Sequence, residues 1–218
     1  MPYKPEEREY RIMPIACRAA SDPDTQNYIV EGYATTYNQQ YELWSEPGLR
    51  FIEQVDPEAF NGADMSDVIM QYDHQGRVFA RLSNGTMKLE SDETGLKVIA
   101  DLSGTETGRQ LYEEIRGGYT NQMSFGFTIR DKAKEFIENE DGSVTVIQTI
   151  KGIKRLYDVS AVSIPANPNT SIQSLTRSAD LVGEIEEARQ ELARRREMKN
   201  KRERLALRVK ILQGGNET

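Results

Sequence analysis

Apolar and polar residues alternate in short stretches along the first three quarters of the chain, and clusters of Gly, Pro, Asn and Asp separate these stretches. Valine, isoleucine, threonine and tyrosine recur in them, which is typical of β-strands. We predict strands at positions 10–18, 28–37, 68–74, 78–82, 86–91, 96–102, 123–130, 144–150 and 156–164. The short turns between residues 78 and 102 predict that the three strands there form an antiparallel meander.

Three segments depart from the strand pattern. The polar segment 38–48 predicts a surface loop, and Asp56 followed by proline predicts a short helix over 55–60. The segment 105–116 has apolar residues four apart and ends at two glycines, which predicts a helix with a glycine stop.

The segment 123–130 shows the clearest alternation. Met123, Phe125 and Phe127 face one way, whereas Ser124 and Gly126 face the other. Because Gly126 has no side chain, we expect the Ser124 hydroxyl to face open space that a peptide could enter.

The chain changes character near residue 180, where Glu, Arg, Lys, Ala and Leu become the main residues and predict a long charged helix. We predict a linker over 167–179 before it. Apolar residues follow one face at the start of this helix and indicate no more than a short coiled-coil seam: Leu181, Ile185, Ala188 and Leu192.

Charge divides the chain into an acidic body and a basic tail. The net charge is -7, yet the segment 194–218 contains nine Lys or Arg and three Glu. An acidic body argues against nucleic acid as the ligand, since phosphate binding needs clustered Lys and Arg, and the tail has no aromatic residue for base stacking. We hypothesise that the basic helix binds an acidic partner segment; the alternative is a solvated, partly frayed helix without such a partner.

We expect neither a membrane-spanning segment nor a disulfide. No apolar run reaches the ~20 residues that a membrane span needs, and the N-terminal residues lack the apolar core of a signal peptide, which predicts a soluble protein of a cytoplasm. Cys17 is the only cysteine, so we expect an unpaired thiol rather than a disulfide or a paired-cysteine zinc site.

His74 is the only histidine in the chain and follows an apolar predicted strand, at an edge that a substrate could reach. An imidazole can take a proton from a hydroxyl and return it to a leaving amine. Ser124, held on a packed strand, is a nucleophile that such a base would activate. Each residue also has a plain alternative: a capping histidine, and a solvent-facing serine of an amphipathic strand.

A third group should orient the imidazole, and a carboxylate does this best. Asp158 interrupts the apolar strand 156–164, where an ionised group should be paired if it is buried. Asp73 adjoins His74, but on a strand it would point to the opposite face. Spacing alone leaves Asp158 as either the orienting acid or an ordinary edge-strand residue.

Four segments occur in an order that carries a resemblance. They are Gly32-Tyr33-Ala34, Asp73-His74, the run 118–127 with Met-Ser-Phe-Gly-Phe, and the run 156–168 with Val-Ser-Ile-Pro-Ala-Asn. Over residues 10–172 the chain resembles the prohead protease family of tailed bacteriophages, which is itself similar to the herpesvirus assemblin.

The resemblance implies an α+β fold, namely a mainly antiparallel β-barrel of assemblin type flanked by helices, followed by the long charged helix. It divides the chain into a protease domain at 1–172 and a linker with the C-terminal helix at 173–218. It also implies His74 as general base, Ser124 as nucleophile and Asp158 as orienting acid, although family members commonly carry Glu at the last position.

For function, the resemblance implies a serine endopeptidase, working without metal or cofactor, that matures proheads. Its substrates would be the scaffold region or N-terminal segment of the major capsid protein, and the protease itself. It would act in the host cytoplasm, inside the procapsid, with a homodimer expected from the assemblin relatives. The opposing hypothesis is a non-enzymatic scaffold or capsid-assembly module with a protease-like fold. The basic helix would bind acidic scaffold or be removed by self-cleavage.

Overall fold

The computed structural model describes residues 8–16, 18–19, 28–163 and 179–214. In this part of the chain the strands form two β-sheets, and the larger sheet contains seven strands. These strands are β1 Glu9–Ala16, β4 Tyr41–Glu46, β5 Leu49–Val55, β6 Ile69–Tyr72, β7 Gln75–Arg81, β10 Gln122–Glu138 and β11 Val144–Val162. Their order is β1-β10-β11-β5-β4, and β6 pairs with both β11 and β7. The sheet is mixed, because β5 and β6 both run parallel to β11.

The smaller sheet has four antiparallel strands in the order β2-β3-β9-β8. Their bounds are β2 Arg18–Ala19, β3 Ile29–Thr36, β8 Met87–Ser91 and β9 Gly95–Asp101. The predicted strands 28–37, 86–91 and 96–102 are confirmed here to within a residue or two.

The helix predicted before the serine strand is confirmed as α1, Glu106–Arg116. It begins where the Thr105 hydroxyl accepts a hydrogen bond from the Gly108 backbone N–H, and it ends at Gly117. Its buried residues Leu111 and Ile115 join one apolar core with side chains from both sheets. The helix therefore contributes to a core that the two sheets share.

Alternation along β10 sends its aromatic residues into this core, as predicted. Met123, Phe125 and Phe127 are buried, and the two phenyl rings stack with centroids 4.4 Å apart. Removing such a ring from a packed core costs about 3–5 kcal/mol. The strand that carries Ser124 is consequently held firmly in position.

The long C-terminal helix α2, Ala179–Gly214, is confirmed, and its first part packs on the larger sheet. Ile185, Ala188 and Leu192 are buried there against side chains of β5 and β11. The apolar stripe thus docks on the sheet rather than forming a coiled-coil seam. In the described part of the chain, neither helix combines the length and apolar character that a membrane span needs.

Several predicted elements are wrong. The expected loop at 38–48 contains β4, and β5 follows it without having been predicted. Turns replace the short helix at 55–60. The meander is divided, because β7 pairs with β6 in the larger sheet whereas β8 pairs with β9 in the smaller one.

The α+β fold built mostly of strands is observed, but pairing among the described strands does not close the two sheets into a barrel. Barrel closure therefore stays a prediction. The linker predicted at 167–179 falls almost entirely outside the described residues, and Cys17 lies outside them.

Candidate active site

His74 lies in a two-residue turn between β6 and β7, where Tyr72 pairs with Gln75. Asp73 and His74 both have positive φ, 47° and 58°. This backbone is that of a type I′ hairpin turn, which matches the twist of the flanking strands but is costly for residues with a Cβ. The predicted strand ends two residues early, so His74 belongs to the turn itself.

The turn is attached to β11 by its backbone. The Asp73 N–H donates to the Ala161 carbonyl oxygen over 3.0 Å, which extends the parallel pairing of β6 with β11. Asp73 does not lie on a strand, and its carboxylate faces the Ser163 N–H at 3.4 Å. The left-handed turn directs the His74 imidazole back over the sheet.

Ser124 lies on β10 between Ile12 of β1 and Ser160 of β11. His74 Nε2 lies 2.5 Å from Ser124 Oγ. The same Oγ is 2.9 Å from the Arg11 carbonyl oxygen. Because a hydroxyl has one proton, it can donate either to the imidazole or to the carbonyl, and only the first bond activates the serine.

Asp158 contacts the other side of the imidazole, with Oδ1 in hydrogen-bonding contact with His74 Nδ1. The carboxylate is buried, and the Ser160 hydroxyl donates to the same oxygen over 3.1 Å. With Nδ1 protonated and donating to Asp158, Nε2 is left as an acceptor for the serine proton. The structure thus brings all three predicted site residues into one chain of contacts.

Gly126 has a different role from the one predicted. It pairs with Tyr10 on one side and with Asp158 on the other, and a Cβ there would collide with Asp158 Oδ2 and approach Tyr10 Cε1 to 2.8 Å. The space above Gly126 is therefore filled by these side chains rather than open to a peptide.

Ser124 and His74 are also less accessible than the sequence predicted. Ser124 is 0% exposed, and the His74 side chain is 14% exposed. In this conformation Ser124 does not present an exposed surface to a peptide.

A buried ion cluster fixes β1 beside the serine. The Arg11 guanidinium contacts Glu53 through two nitrogens, one at 3.0 Å from Oε2, and also contacts Glu9. Tyr41 and Gln148 donate to Glu53 over 2.6 and 2.8 Å. The cluster holds the Arg11 carbonyl in place next to Ser124.

The two carboxylates of this cluster respond differently to their surroundings. Burial acts to raise the pKa of Glu53, but the charge of Arg11 and its hydrogen bonds outweigh burial and hold that pKa below its usual value. For Glu9 burial prevails, and repulsion from Glu53 adds to it, so its pKa lies above the usual value despite Arg11. One guanidinium therefore compensates one carboxylate well and the other only partly.

Sequence reasoning missed Tyr10, the Arg11 carbonyl and Ser160. Ser160 lies two residues after Asp158, on the same face of the strand, which was a usable signal. Nothing in the sequence indicates that β1 pairs with β10, so the first two could not be placed. Among the described residues, no group of three His, Cys, Asp or Glu side chains is arranged to hold a metal ion.

A serine hydroxyl, an imidazole and a buried carboxylate in successive contact is the arrangement that serine hydrolases have reached on several unrelated folds. This is the class of protein to which the site corresponds. The chain belongs to the caudovirus prohead serine protease family, whose sequence model matches residues 15–185. Neither a curated protein nor a solved structure shows significant similarity to the chain.

Membership confirms the resemblance found in the sequence and indicates a serine peptidase of capsid maturation in bacteriophages. It implies association with capsid proteins and a place in the procapsid. The match begins near the end of β1 and extends into α2.

Proposed function

We propose that this protein is a serine endopeptidase that cleaves the scaffold region or N-terminal segment of the major capsid protein, and itself, during prohead maturation. Ser124 is the nucleophile, His74 the general base and Asp158 the orienting acid. The observation that carries the proposal is the 2.5 Å contact of Ser124 Oγ with His74 Nε2, together with the Asp158 contact at Nδ1.

The reaction is acyl transfer. Ser124 Oγ attacks the peptide carbonyl carbon while its proton passes to His74 Nε2. His74 then gives that proton to the leaving amine, the C–N bond breaks, and an acyl-enzyme remains on Ser124. Water attacks the ester with His74 again as base, which releases the new carboxyl terminus. Asp158 keeps the imidazole in the tautomer that these steps need.

The buried nucleophile suits an enzyme that acts in confinement. Because Ser124 is 0% exposed, the local structure has to rearrange before a peptide binds, so the free enzyme would cleave slowly. Enclosure in a procapsid within the host cytoplasm raises the effective concentration of capsid protein, which lets modest activity suffice.

The proposal also divides the chain at residue 172, and the packing of α2 refines this division. The protease domain comprises 1–172, but the first part of α2 belongs to the same folded body because it packs on β5 and β11. The basic remainder of α2 is mostly exposed, although Arg195 lies over the Phe136 ring, and it would bind an acidic scaffold segment. A homodimer, expected from assemblin relatives, is also part of the proposal.

The test is to produce the protein together with the major capsid protein of its phage and to measure the masses of both. Wild type should shorten the capsid protein, and Ser124→Ala should leave it intact. Ser45→Ala is a matched control, because Ser45 is exposed on β4 and its hydroxyl contacts only Glu42 among the described side chains. Continued cleavage by Ser124→Ala would overturn the proposal.

The rival, a non-enzymatic capsid-assembly module, gives a different outcome. Wild type would then leave the capsid protein at full length, while its omission would change particle yield or shape. The Ser124–His74–Asp158 contacts favour the enzyme, since an assembly module has no need to keep these groups together.

A further inference from the structure

The aromatic ring of Tyr10, on β1, packs against the imidazole of His74. The ring centroids are 4.4 Å apart and the ring planes meet at 60°. Tyr10 is 39% exposed, so core packing does not explain where its ring lies. The ring covers a part of the imidazole that neither Ser124 nor Asp158 contacts.

Gly126 makes this approach possible. It pairs with Tyr10 across β1 and β10, and with Asp158 across β10 and β11. Any side chain at Gly126 would collide with both neighbours. The missing Cβ leaves room for both the Tyr10 ring and the Asp158 carboxylate next to the imidazole.

The position of Tyr10 is set by its neighbour. Arg11 is buried, and its ion pair with Glu53 of β5 ties β1 to the larger sheet, where Tyr10 pairs with Gly126 of β10. Tyr10 therefore cannot slide along β10 without breaking a buried ion cluster. A ring held this way restrains the imidazole, which otherwise sits at the tip of a two-residue turn.

We propose that Tyr10 is a positioning residue for His74: its ring holds the imidazole in the plane that joins Ser124 to Asp158. The proposal rests on the proposed function and adds to the proposed site a residue that precedes the segment 15–185 matched by the family model. The ring surface performs this role, because the Tyr10 hydroxyl has no hydrogen-bond partner at the site among the described residues.

The test compares Tyr10→Ala and Tyr10→Phe by inactivation with a fluorophosphonate. In that reaction Ser124 Oγ bonds to phosphorus, the P–F bond breaks, fluoride leaves, and His74 takes the proton. Tyr10→Ala should lower the maximal rate constant about 10- to 100-fold, the scale expected for a slight misplacement of a reacting group. The half-saturating probe concentration should not change, and Tyr10→Phe should restore the rate.

A second readout is the ring-proton NMR signal of His74, which is unambiguous because the chain has one histidine. It should shift in Tyr10→Ala, which loses the ring current, and stay near its wild-type position in Tyr10→Phe. Tyr33→Ala is the control: Tyr33 lies in the smaller sheet, with its hydroxyl on Asp92. Tyr33→Ala should change neither the rate nor the signal.

Three results would overturn the inference. They are an unchanged rate in Tyr10→Ala, an equal loss in Tyr10→Phe, and an equal loss in Tyr33→Ala. Failure of the proposed function looks different, because Ser124→Ala would then react as fast as wild type.

Discussion

Asp158 is one carbon shorter than glutamate, yet its carboxylate contacts the imidazole because Gly126 leaves room for it on the neighbouring strand. The other candidate acid, Asp73, is adjacent to His74 in sequence, but its carboxylate faces the backbone N–H of Ser163, directly after β11. The two aspartates therefore allow a matched comparison between the proposed orienting acid, Asp158, and a nearby acid with no proposed catalytic role, Asp73.

We expect Asp158→Asn to slow fluorophosphonate inactivation by about 10⁴-fold, since an amide fails to hold the imidazole in the required tautomer. Asp73→Asn should react almost as fast as wild type, because asparagine also tolerates positive φ. The measurement is the inactivation rate constant at neutral pH. An equal loss in both variants would mean that Asp158 has no special place at the site.

A second pair of residues, Glu9 and Glu53, compares a partly compensated buried carboxylate with a well compensated one. At neutral pH Glu53→Gln should lower the free energy of unfolding by about 3–5 kcal/mol, because it leaves Arg11 poorly paired. Glu9→Gln should be neutral or stabilising, because folding raises the pKa of Glu9 and its charge is unfavourable in the folded state.

The pH dependence follows from the direction of each pKa shift. Glu53 has a lowered pKa, so its contribution is present above the usual value of 4.5 and is lost as pH falls through the still lower folded pKa. The Glu9 contribution is present below 4.5 and is lost as pH rises through the raised folded pKa. Denaturant unfolding at several pH values should show the deficit of Glu53→Gln shrinking in acid; a pH-independent deficit would contradict this account.

At the scale of elements, β10 was predictable because its two faces differ so clearly. Met123, Phe125 and Phe127 lie in the core as the alternation requires. β5 was not predictable, since Glu53 interrupts its apolar pattern and its charge is compensated by Arg11 from β1, 42 residues away. A pattern of polarity cannot show a partner that only the tertiary fold supplies.

The candidate site could likewise be predicted from the sequence only in part. His74 and Ser124 could be paired by elimination and resemblance, because the chain has one histidine and one Met-Ser-Phe-Gly-Phe run. The parallel pairing of β6 with β11, which brings the His74 turn to Asp158, joins residues 89 positions apart, such as Ile69 and Asp158. No local signal encodes it, and the same holds for Tyr10.

The docked part of α2 leads to a stability prediction. A chain ending at Leu192 keeps the contacts of Ile185, Ala188 and Leu192 and should unfold near the wild-type temperature. A chain ending at residue 178 should unfold at a lower temperature, because burial of Ile185 and Leu192 is worth about 1.5–3 kcal/mol each. Equal melting temperatures would show that α2 does not belong to the folded body.

At the scale of the whole molecule, charge separates the folded body from the remainder of α2. That remainder is basic, and it exposes Met198, Leu205, Leu207 and Val209. A helix with exposed apolar residues among basic ones suits an acidic, partly apolar partner segment. Deleting the whole helix would confuse this role with folding, because α2 also packs on the sheet.

The chain ending at Leu192 therefore tests recruitment cleanly. It should inactivate with fluorophosphonate at the wild-type rate but enter procapsids in fewer copies, because it lacks the basic helix. Copies per procapsid can be counted by quantitative mass spectrometry. Wild-type copy numbers would rule out the basic helix as the recruiting element.

Every step of the proposed reaction requires Ser124 to be an activated nucleophile. We would measure the mass and position of the adduct after fluorophosphonate treatment in peptides of wild type and Ser124→Ala. We expect one adduct in wild type, on Ser124, and none in the variant. An adduct on another residue, or an unmodified Ser124 in wild type, would contradict it.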